Sequence, residues 1–115
     1  MTGRVGYSIT MRVITKGALQ AYWRRRGRED AEQPLKAWYA EASRAAWKSP
    51  EDIKVKYRSA SFVADNRVVF NIAGNTHRLV VHLNYELGVV LVKFIGNHRE
   101  YDDIDAATVG GRGRT

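Results

Sequence analysis

From residue 67 onward the hydrophobic pattern of this 115-residue chain changes period, and that change restricts the fold more than any other feature. The segments RVVFNI (67–72), HRLVVHLN (77–84) and VVLVKFIG (89–96) are rich in β-branched and aromatic residues and are bounded by turn formers. Their spacers, 73–76 and 85–88, are too short for the parallel crossover of about a dozen residues, so three antiparallel strands are expected. Ala73-Gly74-Asn75-Thr76 reads as a hairpin turn centred on Gly74-Asn75, residue types that tolerate positive φ. If Ala73 pairs with Thr76, Asn71 lies opposite Arg78, Val69 opposite Val80 and Arg67 opposite His82.

Directly paired residues project to the same side of a sheet. One face therefore carries Val68, Phe70, Ile72, Leu79 and Val81, which is the expected core. The other carries Arg67, Asn71, Arg78 and His82 around Val69 and Val80, and Lys93 of the third strand is expected to join them. Unpaired charges are not tolerated in a core, so helices should cover the first face and leave the second open. A solvated outer sheet surface alternates in the same way, and both readings stand on the pattern alone. His77 and His82 fall on opposite faces and cannot share a metal, so no metal or other cofactor is expected.

Helical spacing dominates upstream. A short strand, 11–14, precedes Thr15 as a helix N-cap and a helix from Lys16 to about Arg26, with Leu19, Tyr22 and Trp23 as its buried stripe. Gly27, in the arginine-rich run RRRGRED, is a natural stop. A second helix begins near Pro34 and buries Leu35, Trp38, Tyr39, Ala42, Ala45 and Ala46. A third, short one opens at Ser49-Pro50, with Glu51 and Asp52 at the positive end of its dipole and Lys54 and Lys56 towards its other end.

These elements form one domain, as the length predicts, spanning 11–109 between a possible N-terminal extension, 1–10, and a loose tail, 110–115. With no cysteine, thiol chemistry and disulfides are excluded. The apolar runs fall short of the roughly 20 residues of a membrane span, so a cytoplasmic protein without a membrane partner is expected. The formal net charge is +7, and the basic residues cluster: residues 1–30 hold seven Lys/Arg against two acids, and residues 53–99 repeat that ratio. A polyanionic partner, nucleic acid or an acidic protein, follows as an expectation.

The stretch FIGNHREYD, 94–102, ends the last strand with His98, Arg99 and Tyr101 within four residues. RNA can be cut without a metal when its 2′-hydroxyl attacks the adjacent phosphate. Such a site must take a proton from that hydroxyl, offset the added charge on the phosphate and return a proton to the departing 5′-oxygen. Histidine and tyrosine can serve as base or acid, and arginine offers forked donors to phosphate oxygens. The same residues can also simply cap and pack a final short helix. Asp102, Asp103 and Asp105 lack the spacing of a cation loop and read as a helix N-terminus or a solvated acidic patch.

The run from Asp65 to Asp105 resembles the HigB family of bacterial toxin–antitoxin toxins, related in architecture to RelE, through RVVFNIxGNxxRLVV and FIGxHxEYDxID. The pieces 11–19 and 34–57 are similar to the same pattern, so the resemblance covers about Met11 to Val109. It implies an α+β, RelE-like fold, a small antiparallel sheet with N-terminal helices packed on one face. It also implies a ribosome-associated mRNA endonuclease inhibited by a HigA-like helix-turn-helix antitoxin. By position, Arg78 resembles a sheet arginine that contacts the scissile phosphate, and His98 and Tyr101 match the histidine and tyrosine of the terminal motif. Lys54 and Lys56 resemble basic residues that steady the substrate, while Arg67, Asn71, Lys93 and Arg99 would position its backbone. The loop RRRGRED departs from the pattern. A non-catalytic basic module that binds RNA or protein, and an inactive, degenerate toxin, remain the alternatives.

Overall fold

The computed structural model describes residues 10–111, so nearly all of the expected N-terminal extension, and the tail beyond Gly111, lie outside the described residues. The elements run β1 (Arg12–Ile14), α1 (Lys16–Trp23), a 3-10 turn (Glu29–Ala31), α2 (Glu32–Arg44), α3 (Pro50–Lys56), β2 (Ser61–Val63), β3 (Arg67–Ile72), β4 (His77–Asn84), β5 (Val89–Asn97) and α4 (His98–Asp102). The architecture is α+β.

The expected meander β3-β4-β5 is the centre of a larger, mixed sheet with strand order β1-β5-β4-β3-β2. β2 adds an antiparallel edge to β3, and β1 pairs parallel with β5 on the opposite edge. The expected antiparallel sheet is thus present and gains a parallel edge strand. A parallel partner becomes possible because the helices and three strands separate β1 from β5 in sequence, far more chain than a crossover needs. β2 has only three residues, too few for alternation to mark it.

The hairpin register is as expected: Arg67 opposes His82, Val69 opposes Val80 and Asn71 opposes Arg78. The turn differs in detail, because Ala73 (φ 55°) and Gly74 (φ 68°) take the left-handed positions in place of Gly74 and Asn75. A bulge in the β4/β5 pairing, at Val80/Val81, sets Lys93 off the regular register.

The core lies between the helices and the expected face. Leu19 and Tyr22 from α1, Leu35, Trp38 and Ala42 from α2, and Ile53 from α3 pack over Val68, Phe70, Ile72, Leu79 and Val81. Phe70 is the hub, with ring centroids 5.0 Å from Tyr57, 5.4 Å from Trp38 and 6.2 Å from Trp47. Burial there, with Glu41 nearby, pushes the Tyr57 hydroxyl up to about 12. Trp38 is thus a core residue and not a ligand platform.

Helix ends depart from expectation in three places. α1 stops at Trp23. α2 stops at Arg44, where Ala45 becomes extended and its carbonyl accepts the Met11 N–H at 2.9 Å. Thr15 stands before α1 at φ 69° without a side-chain capping bond; its hydroxyl instead accepts the Val92 N–H at 3.0 Å, continuing the β1–β5 seam.

Candidate nucleic-acid interface

The outer face of the sheet is not uniformly bare. At one end Arg67 is fully buried, although it was expected to bind RNA. Its guanidinium donates to the carbonyls of Ala106 (3.1 Å), Val109 (2.6 Å) and Gly111, fastening the C-terminal segment onto the sheet. Asp65 lies 3.9 Å from Nε, an ion-pair distance but too long for a hydrogen bond, and Nε has no hydrogen-bond partner among the described residues. Lys93 donates to the Gly110 carbonyl at 3.3 Å. Gly110 is required there, because a Cβ at its φ of +76° would stand 2.7 Å from the Lys93 carbonyl oxygen. Val69 and Val80 are buried in the same region, and burial lowers the His82 pKa, with Arg67 and Lys93 adding to the shift and Asp65 opposing it.

Of the residues expected to contact RNA, Arg67 is sealed beneath the C-terminal segment, and Lys93 reaches the Gly110 carbonyl. Within the segment 110–115, the carbonyls of Gly110 and Gly111 accept these bonds. Lys54 is also occupied, donating to the carbonyls of Arg58 and Ala60 at 2.7 Å each, which closes the chain after α3. Lys56 stays exposed, 3.8 Å from Glu41, and lines a shallow groove with Asn71.

The other end of the face remains accessible, and α4 borders it. Asn97 builds that helix: its side chain accepts the Glu100 N–H at 2.7 Å while the Glu100 carboxylate accepts the Asn97 N–H at 2.8 Å. The His98 N–H donates to the Thr76 carbonyl at 3.1 Å, docking α4 on the β3–β4 turn. Gly96, paired with Arg78, leaves room for the Phe94 ring, which would lie 2.5 Å from a Cβ there. Phe94 in turn supports Tyr101, with centroids 6.4 Å apart.

Arg78 and Tyr101 meet at this end, and His98 stands on the helix that carries Tyr101. The Arg78 guanidinium sits 5.6 Å from the centre of the Tyr101 ring and donates to the Asn75 carbonyl at 2.9 Å. His98 precedes Tyr101 by three residues on α4, so the two share a helix side. Its Nδ1 lies 3.3 Å from the Asp102 carboxylate, which orients the ring, and more than half of the side chain (55%) is exposed. Asp102 thus stands at the C-terminal end of α4 and not at its N-terminus. Arg99 is exposed on the same helix, and Asn71 lies across from Arg78.

Glu100 also accepts ion pairs from Arg25 and Arg28, each at 3.2 Å, so the arginine-rich loop is anchored to α4. The backbone bond from Asn97, then these arginines, hold its carboxyl below the ordinary value of 4.5 against the opposing effect of burial. Sequence reasoning gave Glu100 no role, although Asn97-x-x-Glu100 is a capping-box spacing.

Residues 31–104, well over half of the chain, match a family described as HigB toxin, the RelE-like toxic component of a toxin–antitoxin system. The chain belongs to the HigB toxin family. As the toxic component of such a system it has an antitoxin partner, and no helix among the described residues is long and apolar enough to cross a membrane. A search of curated proteins found no match.

Proposed function

We propose that this HigB-family chain is a metal-independent endoribonuclease that cuts mRNA on translating ribosomes in the cytoplasm, and that a HigA-like helix-turn-helix antitoxin restrains it. The observation that carries this reading is the meeting of Arg78 with Tyr101 beside an oriented, exposed His98. One of His98 and Tyr101 takes the proton from the 2′-hydroxyl. That oxygen attacks the adjacent phosphorus, and the bond to the 5′-oxygen breaks as the other group protonates it, leaving a 2′,3′-cyclic phosphate and a 5′-hydroxyl. Arg78 offers forked donors to the non-bridging oxygens, whose charge grows in the transition state. Asp102, holding His98 Nδ1, leaves Nε2 as the nitrogen that would exchange a proton with the substrate. Asn71, Lys56 and Arg99 would steady the RNA backbone.

Induced expression of the full chain in a bacterium, paired with cleavage of mRNA in a translating extract, tests the proposal. Growth arrest and cleavage that both vanish in His98→Ala and Arg78→Ala are expected. Undiminished arrest by folded forms of both variants would instead favour a module that acts by binding alone.

A further inference from the structure

We infer that the loop between α1 and the 3-10 turn, 24–28, is a second RNA-phosphate site, with Arg24 and Arg26 as its contacting residues; this rests on the proposed nuclease function. The loop lies just before the family match at 31–104. It holds Arg24, Arg25, Arg26 and Arg28, and Glu29 and Asp30 follow in the 3-10 turn.

The acidic residues of this segment face its own structure. Glu29 accepts the Gly27 N–H at 2.9 Å, where Gly27 turns the chain at φ 84°. Asp30 accepts from His77 Nε2 at 2.9 Å, and His77 Nδ1 accepts the buried Tyr22 hydroxyl at 2.7 Å. This chain of bonds pins the end of the loop to β4. Arg25 and Arg28 lie near the Tyr22 ring, 5.4 and 5.7 Å from its centre, and converge on the single carboxylate of Glu100. The loop is therefore seated against α4 through Glu100.

Charge is left over in this arrangement. One carboxylate answers two guanidiniums, and Arg24 and Arg26 are exposed with no ion pair among the described residues. They are two residues apart, at most about 7 Å along the backbone, on a loop whose anchoring limits the ordering cost of binding. Guanidinium groups match phosphate oxygens through forked donors, and the ion pairs to Glu100 tie this loop to the helix that carries His98 and Tyr101. Either the message itself or ribosomal RNA could supply the phosphodiester.

The test uses the full chain carrying His98→Ala, so that RNA is bound without being cut, with and without Arg24→Ala and Arg26→Ala. A fluorescent single-stranded RNA and purified ribosomes are titrated separately across a range of salt. Binding about tenfold weaker in the triple variant is expected, with a salt slope shallower by about 1.4, as two lost phosphate contacts on a single strand require. Weakening on the oligonucleotide as well as on ribosomes assigns the message as ligand, and weakening on ribosomes alone assigns ribosomal RNA. Unchanged affinity and slope in the triple variant, while the His98→Ala parent binds, would overturn the loop site but leave the nuclease reading intact. If the parent binds neither RNA nor ribosomes, both fall.

Discussion

The two ends of the outer sheet face are built from the same residue types and behave oppositely. At one end Arg67 is fully buried and donates to three backbone carbonyls. At the other, one hairpin turn away on the same two strands, Arg78 rests against a tyrosine ring beside exposed histidine and arginine side chains. The difference lies in the neighbours and not in the arginine. Backbone carbonyls need donors wherever they are buried, so an arginine beneath a folded-back tail becomes structural. An arginine whose forked donors face solvent keeps them available for an anion.

Substitutions can break this contrast. Arg78→Ala and His98→Ala should each lower the RNA cleavage rate by about 100-fold or more, the scale of removing a transition-state donor or a proton carrier, with little change in melting temperature. Arg67→Ala should do the reverse. Three carbonyls lose their donor and a cavity opens, costing about 3 kcal/mol and roughly 10 °C in Tm, read by thermal unfolding, while surviving folded protein still cuts RNA. Equal Tm losses from Arg78→Ala and Arg67→Ala would erase the distinction.

Smaller changes sharpen it within each end. Gly110→Ala forces a left-handed alanine against the Lys93 carbonyl and should loosen the tail by about 1–2 kcal/mol, seen as faster proteolysis near the C-terminus. Gly96→Ala must push the Phe94 ring aside and so disturb Tyr101; a several-fold loss of cleavage with at most about 1 kcal/mol lost in stability is expected.

The smallest effect should come from Glu100→Gln. This carboxyl has a lowered pKa in the folded chain, so its contribution to stability is complete above the ordinary value of 4.5 and fades as pH falls through the folded value. Glutamine keeps the capping geometry but not the charge. Unfolding curves at falling pH should show part of the wild-type acid sensitivity missing from the variant, by a few tenths of a kcal/mol, because the ion pairs are partly exposed and screened.

Much of this arrangement was legible in the chain. Alternation in 67–84 with a short turn dictates which side chains oppose one another, and Asn71 does face Arg78. The stripe of Leu35, Trp38 and Ala42 likewise reads directly as a buried helix face. Legibility ended where contacts are made by backbone atoms. Nothing in the periodicity marks the carbonyls of Ala106, Val109 and Gly111 as partners of Arg67, or those of Arg58 and Ala60 as partners of Lys54. Glu100 escaped for a related reason, since its ion pairs reach across to a loop some seventy residues earlier.

By itself, then, the sequence determined the family, the order of the main helices and of the three central strands, and the register that sorts the residues of the β3–β4 hairpin to one face or the other, because these follow from local periodicity and turn chemistry. Only the tertiary structure decided which polar residues on the outer face meet solvent, and that β1 closes the sheet in parallel. Both depend on where distant segments come to rest, and a carbonyl can satisfy a buried cation from any residue type, leaving no side-chain pattern to read.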